Sequence, residues 1–478
     1  MCGVTAVYAP GRDAARLAFF ALYALQHRGQ ESAGIAAADG STLRSHKAMG
    51  LLGAIFDEQI LGDLRGHLAV GHTRYSTSGS SIVVNAQPLL ERSDIGDVAF
   101  AHNGNLTNTQ ELRAALARDV RLEASSDSEV LAKLIVDSPG SLTDRIERVI
   151  ATAKGAYSVV LCTQDEIYAF RDPWGVRPLA LGELEGGGWI VASESCALST
   201  VGARLVREIE RGEILRIGSG GIESRRTDVE REPPALCMFE YIYFARPDSS
   251  LDGRSIYMAR HQMGRALARE HPVEADVVMA VPDSAIPAGI GYAAESDLPY
   301  VEGLIKNRYI GRTFISPDQQ MRSRGVQLKF NPLIENLRDR RVVVVDDSIV
   351  RGTTTPRIVA LLREAGAREV HLRISSPPIL HPCHLGVDMA TYDELIAANK
   401  SIDEIRAHTG ADSLGYLSLA GLISATGRRR DEMCLGCLVG EYPSVPEGQS
   451  FSSGGNARSR TSCAYVRSAS TASRPNSA

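Results

Sequence analysis

At 478 residues the chain exceeds a single ordinary core, and roughly 150 residues per domain predicts about two to four units. Lys and Arg number 52 against 57 Asp and Glu, a formal charge of −5, which gives no electrostatic basis for a nucleic-acid partner. An apolar share of 44% suits a globular protein with a sizeable core.

The chain opens MCGVTAVYAP. Cys2 reads either as a small buried residue opening a strand or as a nucleophile. In the second case Met1 is removed, and Cys2 carries a thiol and its own α-amino base on one residue. The next stretch, AARLAFFALYALQ (14–26), is apolar but shorter than the ~20 residues of a membrane span. It follows Arg12 and Asp13 and runs into QHRGQ, so it predicts a buried helix rather than a signal peptide. Without an export signal the chain is expected in the cytoplasm, its eight cysteines reduced.

To about residue 220, short strand-like runs alternate with turn residues: GVTAVYA, AGIAAAD, LAVGHTRYS, VAFAHNGNL, AYSVVLC, EIYAFRD, WIVASES and GEILRI. A second helix is predicted at SDSEVLAKLIVDS, with Ser and Asp placed as caps. This pattern suggests two packed sheets with helices outside. The polar, proline-bearing stretch 221–236 predicts a boundary. Beyond it DVVMAVPDS and RRVVVVDDS are continuous apolar runs, as in strands buried on both faces of a parallel sheet. The expected domains are therefore 1–236, 237–442 and a Ser/Arg-rich tail, 443–478, too poor in large apolar residues to fold.

RVVVVDDSIVRGTTTPRIVALLREAG joins a buried strand to a helix through a polar loop. Asp346 and Asp347 stand at the strand's carboxyl end, where ligands of open α/β sheets bind. Gly352 with Thr353, Thr354 and Thr355 at a helix start makes a phosphate cradle. The paired aspartates suit ribose hydroxyls or a Mg²⁺ ion. GxxxxGK[ST] is absent, so this is no Walker A loop.

The segment resembles the signature of type I phosphoribosyltransferases, which bind 5-phosphoribosyl 1-diphosphate (PRPP). The resemblance assigns Asp346 and Asp347 to the ribose and Mg²⁺ region, and Ser348 through Thr355, Arg351 among them, to the 5′-phosphate. Ser284 in VMAVPDSA resembles the family's diphosphate and metal-side loop. Lys306, Arg308 and Arg312 supply cations that could close over a leaving diphosphate.

In the first domain, Arg74 offers a bidentate clamp for an α-carboxylate. Asn103 and the Gly104 N–H form a plausible oxyanion pair, and Asp127 is placed to hold an α-ammonium. Behind an N-terminal Cys–Gly, these stretches resemble the N-terminal-nucleophile glutamine amidotransferases over residues 2 to about 215. The resemblance adds Arg28 to the glutamine site and implies an αββα sandwich.

Cys434 and Cys437 form CLGC, half of a thiolate site; Cys237 and Cys383 are the candidates for the other half, while Cys162 and Cys196 read as core and Cys463 lies in the tail. Composition leaves zinc and an iron–sulfur cluster open. The segments resemble the iron–sulfur branch of the amidophosphoribosyltransferases (glutamine PRPP amidotransferases), which implies a [4Fe–4S] cluster with a structural role. Over residues 2–442 the resemblance implies transfer of the glutamine amide nitrogen to Mg-PRPP in the first committed step of purine synthesis. It also implies an ammonia channel, a homo-oligomer (dimer or tetramer) and feedback inhibition by purine nucleotides. Relatives with a cluster often carry a short propeptide, whereas here Met1 alone precedes Cys2. Two other readings are another glutamine-dependent synthase and a non-catalytic PRPP sensor. The phosphate-loop segment argues against the first, and an intact Cys2 set against the second.

Overall fold

The computed structural model describes residues 1–76, 79–117, 120–228, 233–307 and 329–446. All eight expected strands form in the first domain, and others are added to them: β1 (Gly3–Tyr8), β2 (Ser32–Ala38), β3 (Leu43–Met49), β4 (Leu68–Arg74), β5 (Leu89–Ser93) and β6 (Gly96–Leu106). They continue as β7 (Gly155–Cys162), β8 (Ile167–Arg171), β9 (Ala180–Leu184), β10 (Trp189–Ala192), β11 (Ala203–Glu208), β12 (Glu213–Gly218) and β13 (Gly221–Arg226). The additions are β3, β5, β9, β11 and β13. One antiparallel sheet has the order β11-β9-β10-β1-β4-β2-β3, and the other β13-β12-β8-β7-β6-β5. Small and branched side chains fill the space between them, among them Val4, Ala6, Val70, Ala99, Ala101 and Val160. The helix Ala14–Ala24 covers the outside of the first sheet, and Asp127–Val136 with Leu142–Thr152 covers the second. The result is an αββα sandwich.

The second domain holds a parallel sheet in the order Val277–Ala280, Arg341–Asp346, Glu369–Ile374, Ser413–Tyr416. Val343 and Val345 face one core and Val342 and Val344 the other, as continuous apolar runs require. A short hairpin, Leu304–Lys306 against Phe330–Pro332, stands beside it.

The domains are stitched through residues 235–237. The Ala235 and Cys237 N–H groups donate to the Trp174 and Val176 carbonyls, at 2.9 and 3.1 Å, and Leu236–Cys237 pairs in parallel with Met433–Cys434. Residue 444, beyond the expected start of the tail, packs on the first domain: Ser444 is buried and its hydroxyl lies 2.6 Å from that of Thr107. Residues 447–478, including Cys463, lie outside the described residues. No described helix is long and apolar enough to cross a membrane.

Candidate active sites

Cys2 enters β1 at the centre of the first sheet. Its backbone N–H donates to Asn103 Oδ1 at 3.0 Å, and its Sγ lies 3.5 Å from both the N and the O of Tyr75. Asn103 and Gly104 sit inside β6, paired with β7, rather than in the turn that Asn-Gly usually marks. A Cβ on Gly104 would lie 1.9 Å from the Ala156 carbonyl oxygen. Only glycine allows that approach, so the residue type is set by packing as well as by chemistry. Asn103 is fully buried, and its Nδ2 has no hydrogen-bond partner among the described residues. A buried donor without an acceptor is costly in a structural core, but it is what an oxyanion needs.

Asp127 is the first residue of its helix rather than its cap, and its carboxylate accepts from the Leu106 N–H at 2.9 Å. It therefore sits at the end of the strand that carries the oxyanion pair. Arg74, at the end of β4, donates to the Ser80 carbonyl at 3.2 Å and lies 3.6 Å from Glu31 Oε2. Cys2, Arg74, Asn103, Gly104 and Asp127 thus share one neighbourhood.

Arg28 is placed differently from a substrate clamp. Its side chain is fully buried, with Nη1 on Glu194 at 2.5 Å and Nη2 on Glu240 at 2.7 Å, and its Nε donates to the Cys2 carbonyl at 3.0 Å. Burial opposes its charge, but Glu240 and Glu194 overcome that and raise its pKa. Arg28 is therefore a positioning residue that fixes the backbone of Cys2 and ties the first domain to Glu240. Replacing it with Met should strip the buried Glu240 carboxylate of both its guanidinium donors, while Glu194 keeps His27, Ser249 and the Arg246 N–H, and cost about 3–5 kcal/mol of stability. A fall of several degrees in thermal midpoint checks this, with Arg28→Lys falling less.

In the second domain, Asp346 and Asp347 stand at the end of the strand Arg341–Asp346. Ser284 and Ser348 hydroxyls donate to Asp347 at 2.5 and 2.6 Å, and the Asp347 N–H donates to Asp346 Oδ1 at 2.9 Å. Burial and the Asp347 charge push the Asp346 carboxyl well above its usual range, and burial raises Asp347 as well. A half-buried and a buried carboxylate with hydroxyls beside them are an all-oxygen donor set that fits Mg²⁺ or ribose hydroxyls. Gly352 has φ +67°, and a Cβ there would meet Ile396 Cδ1 at 2.3 Å. Thr353 and Thr354 are exposed ahead of the helix Thr355–Glu364, whose first residue, Thr355, is buried. Lys306 Nζ reaches Asp283, next to Ser284. Arg308 and Arg312 lie outside the described residues.

Tyr75 and Asp388 were not singled out by the sequence, yet they join the two sites. The Tyr75 hydroxyl donates to Asp388 Oδ2 at 3.0 Å. Arg351 Nη2 donates to the Asp388 carbonyl at 3.1 Å, and its Nε to Glu394 Oε2 at 2.8 Å. The phosphate loop and the Cys2 site therefore share a wall.

Cys237, Cys383, Cys434 and Cys437 are gathered without any disulfide. Cys237 is opposite Cys434 in register. Burial raises the Cys437 thiol pKa well above normal, with the charges of Cys383, Cys237 and Cys434 adding to the rise, so all four are electrostatic neighbours. Among the described residues no group of three or more His, Cys, Asp or Glu converges on a single metal ion. Thiolates that ligate separate irons of one cluster stand farther apart than thiolates on one ion.

Residues 72–200 match the glutamine amidotransferase domain family, and 258–377 match the phosphoribosyl transferase domain family. The amidophosphoribosyltransferase of Synechococcus elongatus is 51% identical over 93% of this chain and 92% of its own length. That of Methanocaldococcus jannaschii is 48% identical over 93% and 98%. A structure described as the allosteric regulatory enzyme of purine biosynthesis superposes with a TM-score of 0.88 at 47% identity, covering 94% of this chain and 98% of that one. The glutamine PRPP amidotransferase of B. subtilis, complexed with ADP and GMP, gives 0.87 at 46%, covering 94% and 99%. By sequence and by fold, this chain belongs to the amidophosphoribosyltransferase family.

Proposed function

We propose that the two sites divide the family's reaction between them, which turns glutamine and PRPP into glutamate, diphosphate and 5-phosphoribosylamine. The observation that carries this division is the shared wall: Tyr75, on the Cys2 sulfur, also holds Asp388, which holds Arg351 of the phosphate loop.

With Met1 gone, the Cys2 amine takes the thiol proton and Sγ attacks the glutamine carboxamide carbon. The carbonyl oxygen becomes an oxyanion, received by Asn103 Nδ2 and the Gly104 N–H. Arg74 holds the substrate α-carboxylate and Asp127 its α-ammonium. The C–N bond breaks and the Cys2 amine returns its proton to the departing nitrogen, releasing ammonia. Water then cleaves the thioester to glutamate.

In the second site, Ser348 through Thr355 hold the 5′-phosphate, and Asp346 and Asp347 hold the ribose hydroxyls. Ser284 and the aspartates would hold Mg²⁺, which offsets charge on the diphosphate when bound. Lys306 and Arg308 would supply cations that offset charge on the diphosphate. Ammonia's lone pair forms the new bond to C1 as the C1–O bond breaks and diphosphate leaves. The contact between the two sites supports a closed path for ammonia, which would otherwise be protonated in water.

The four cysteines would ligate a [4Fe–4S] cluster that ties the end of the chain to residue 237. Buried donors on Arg177, without a hydrogen-bond partner among the described residues, favour an anionic group there. The B. subtilis relative was solved with ADP and GMP, and this chain is taken to be inhibited by purine nucleotides too. Phe20 and Tyr23, exposed on the first helix, support a homo-oligomer, dimer or tetramer. Reduced thiols of this kind suit the cytoplasm.

Two assays test the scheme on protein purified without air. Glutamine-dependent diphosphate release from PRPP should require Mg²⁺. The protein should be brown, with iron and acid-labile sulfide; colourless, zinc-loaded and fully active material would overturn the cluster.

A further inference from the structure

Arg177 is a buried charge that neither site uses. It lies in the loop between β8 and β9, with its side chain fully enclosed. Its Nη2 donates to the Leu385 carbonyl. Its Nη1 stands 3.8 Å from Glu240 Oε1, beyond hydrogen-bond reach, and Glu240 is already held by both Nη atoms of Arg28. Neither Nη1 nor Nε of Arg177 has a hydrogen-bond partner among the described residues. A guanidinium cannot discard its charge, so unpaired donors in a dry interior call for an acceptor.

The neighbours of Arg177 indicate which acceptor. Val176, the preceding residue, accepts from the Cys237 N–H at 3.1 Å. Leu385, which takes Nη2, donates its own N–H to Cys383 Sγ at 3.4 Å. Arg177 therefore stands where the chains carrying Cys237 and Cys383 meet. On the other side, a Cβ on Gly386 would lie 3.2 Å from both Arg177 Nη2 and the Gly104 carbonyl carbon. The segment 383–388 thus runs from a cluster cysteine, past the oxyanion glycine, to Asp388.

We propose that Arg177 is the counter-cation of the four-thiolate group, and the residue that fixes the 383–388 segment between that group and Gly104. The proposal rests on the reading of these cysteines as ligands of an iron–sulfur cluster. Thiolates and sulfides bring negative charge into a buried place, and among the described residues Nε and Nη1 have no hydrogen-bond acceptor. Hydrogen bonds and nearby charge of this kind set the stability and potential of such clusters. Nη2 meanwhile holds Leu385, so the cluster and the glutaminase strand are braced by one side chain.

The test compares wild type, Arg177→Met and Arg177→Lys, all purified without air. It reads iron and sulfide content, the midpoint potential, the rate of bleaching in air and KM for glutamine. A nearby cation favours the reduced, more negative cluster, so Arg177→Met should move the potential downward and bleach about 10-fold faster. Its KM for glutamine should rise. Arg177→Lys keeps the charge and therefore the potential, but it loses the fork and bleaches faster than wild type. Wild-type potential and bleaching in Arg177→Met overturn the role of Arg177 and leave the cluster standing. A wild-type protein without iron and sulfide overturns both. Should Arg177→Met fail to accumulate, Arg177→Lys decides: a wild-type bleaching rate overturns the proposal.

Discussion

Cys2→Ala protein is expected to make no phosphoribosylamine from glutamine, yet to retain synthesis from ammonium salts. The fall in glutamine turnover should be at least about 10⁴-fold, as for other enzymes stripped of their nucleophile. The second site contains none of the atoms removed, so its use of free ammonia should stay within about twofold of wild type, the additivity expected of separate sites. The same reasoning extends one residue back. In the chain with Met1 retained, the Cys2 nitrogen is an amide donating to Asn103 Oδ1, and its lone pair is delocalised. Removing Met1 turns that atom into an amine with an ordinary pKa of about 7.7–8.0, held by the same Asn103 oxygen and aimed by it. Protein bearing an extra residue ahead of Cys2, verified by mass, should therefore match Cys2→Ala in both assays. Glutamine-dependent synthesis by either form would overturn the assignment of Cys2.

What the sequence revealed follows from how local each signal was. Runs such as GVTAVYA and AYSVVLC carry their own strand pattern, and the strands formed where those runs lie. The phosphate loop was legible because strand end, acidic pair, glycine and helix start fall in one uninterrupted stretch. The candidate glutaminase residues make a pattern only as a set, since each alone reads as a turn, a cap or an edge residue. What remained hidden depends on pairing across long separations. Arg28 meets Glu194 and Glu240 at 166 and 212 residues' distance, and no local pattern announces a buried ion pair. The resemblance assigns Arg28 to the glutamine site, whereas the fold places it on the Cys2 carbonyl with its guanidinium on Glu194 and Glu240. Tyr75 reaches Asp388 across 313 residues, and Arg177 reaches Leu385 across 208. The edge strands β3, β5, β11 and β13, with mixed burial, also lacked a clear pattern, because one or both faces meet water; β9, short and almost wholly buried, escaped the reading as well.

Asp347→Asn should have the opposite signature to Cys2→Ala: transfer to PRPP falls with both nitrogen sources. Losing one charge-stabilising group in an enclosed site costs on the order of 10²–10³ in turnover, and glutaminase chemistry in the first domain should persist. A merely damaged fold would give the same loss, so stability must be read alongside. Burial and the Asp347 charge raise the Asp346 carboxyl, and Asp347 is itself raised by burial. A carboxyl whose folded pKa lies above its unfolded value favours the native state while protonated. That contribution is complete below the unfolded pKa, about 3.9, and it is lost as pH rises through the folded value. The wild-type protein without ligands should therefore lose stability from this pair as pH climbs out of the acid range. Asp347→Asn removes one of the two charges and relieves the other, while its amide oxygen still accepts from Ser284 or Ser348. Its thermal midpoint at neutral pH should equal or exceed that of wild type, and its loss with rising pH should be shallower. Lost transfer with a raised or equal midpoint assigns Asp347 to the PRPP site. A midpoint that falls together with activity would make Asp347 a structural residue and shift the acidic contribution to Asp346 alone.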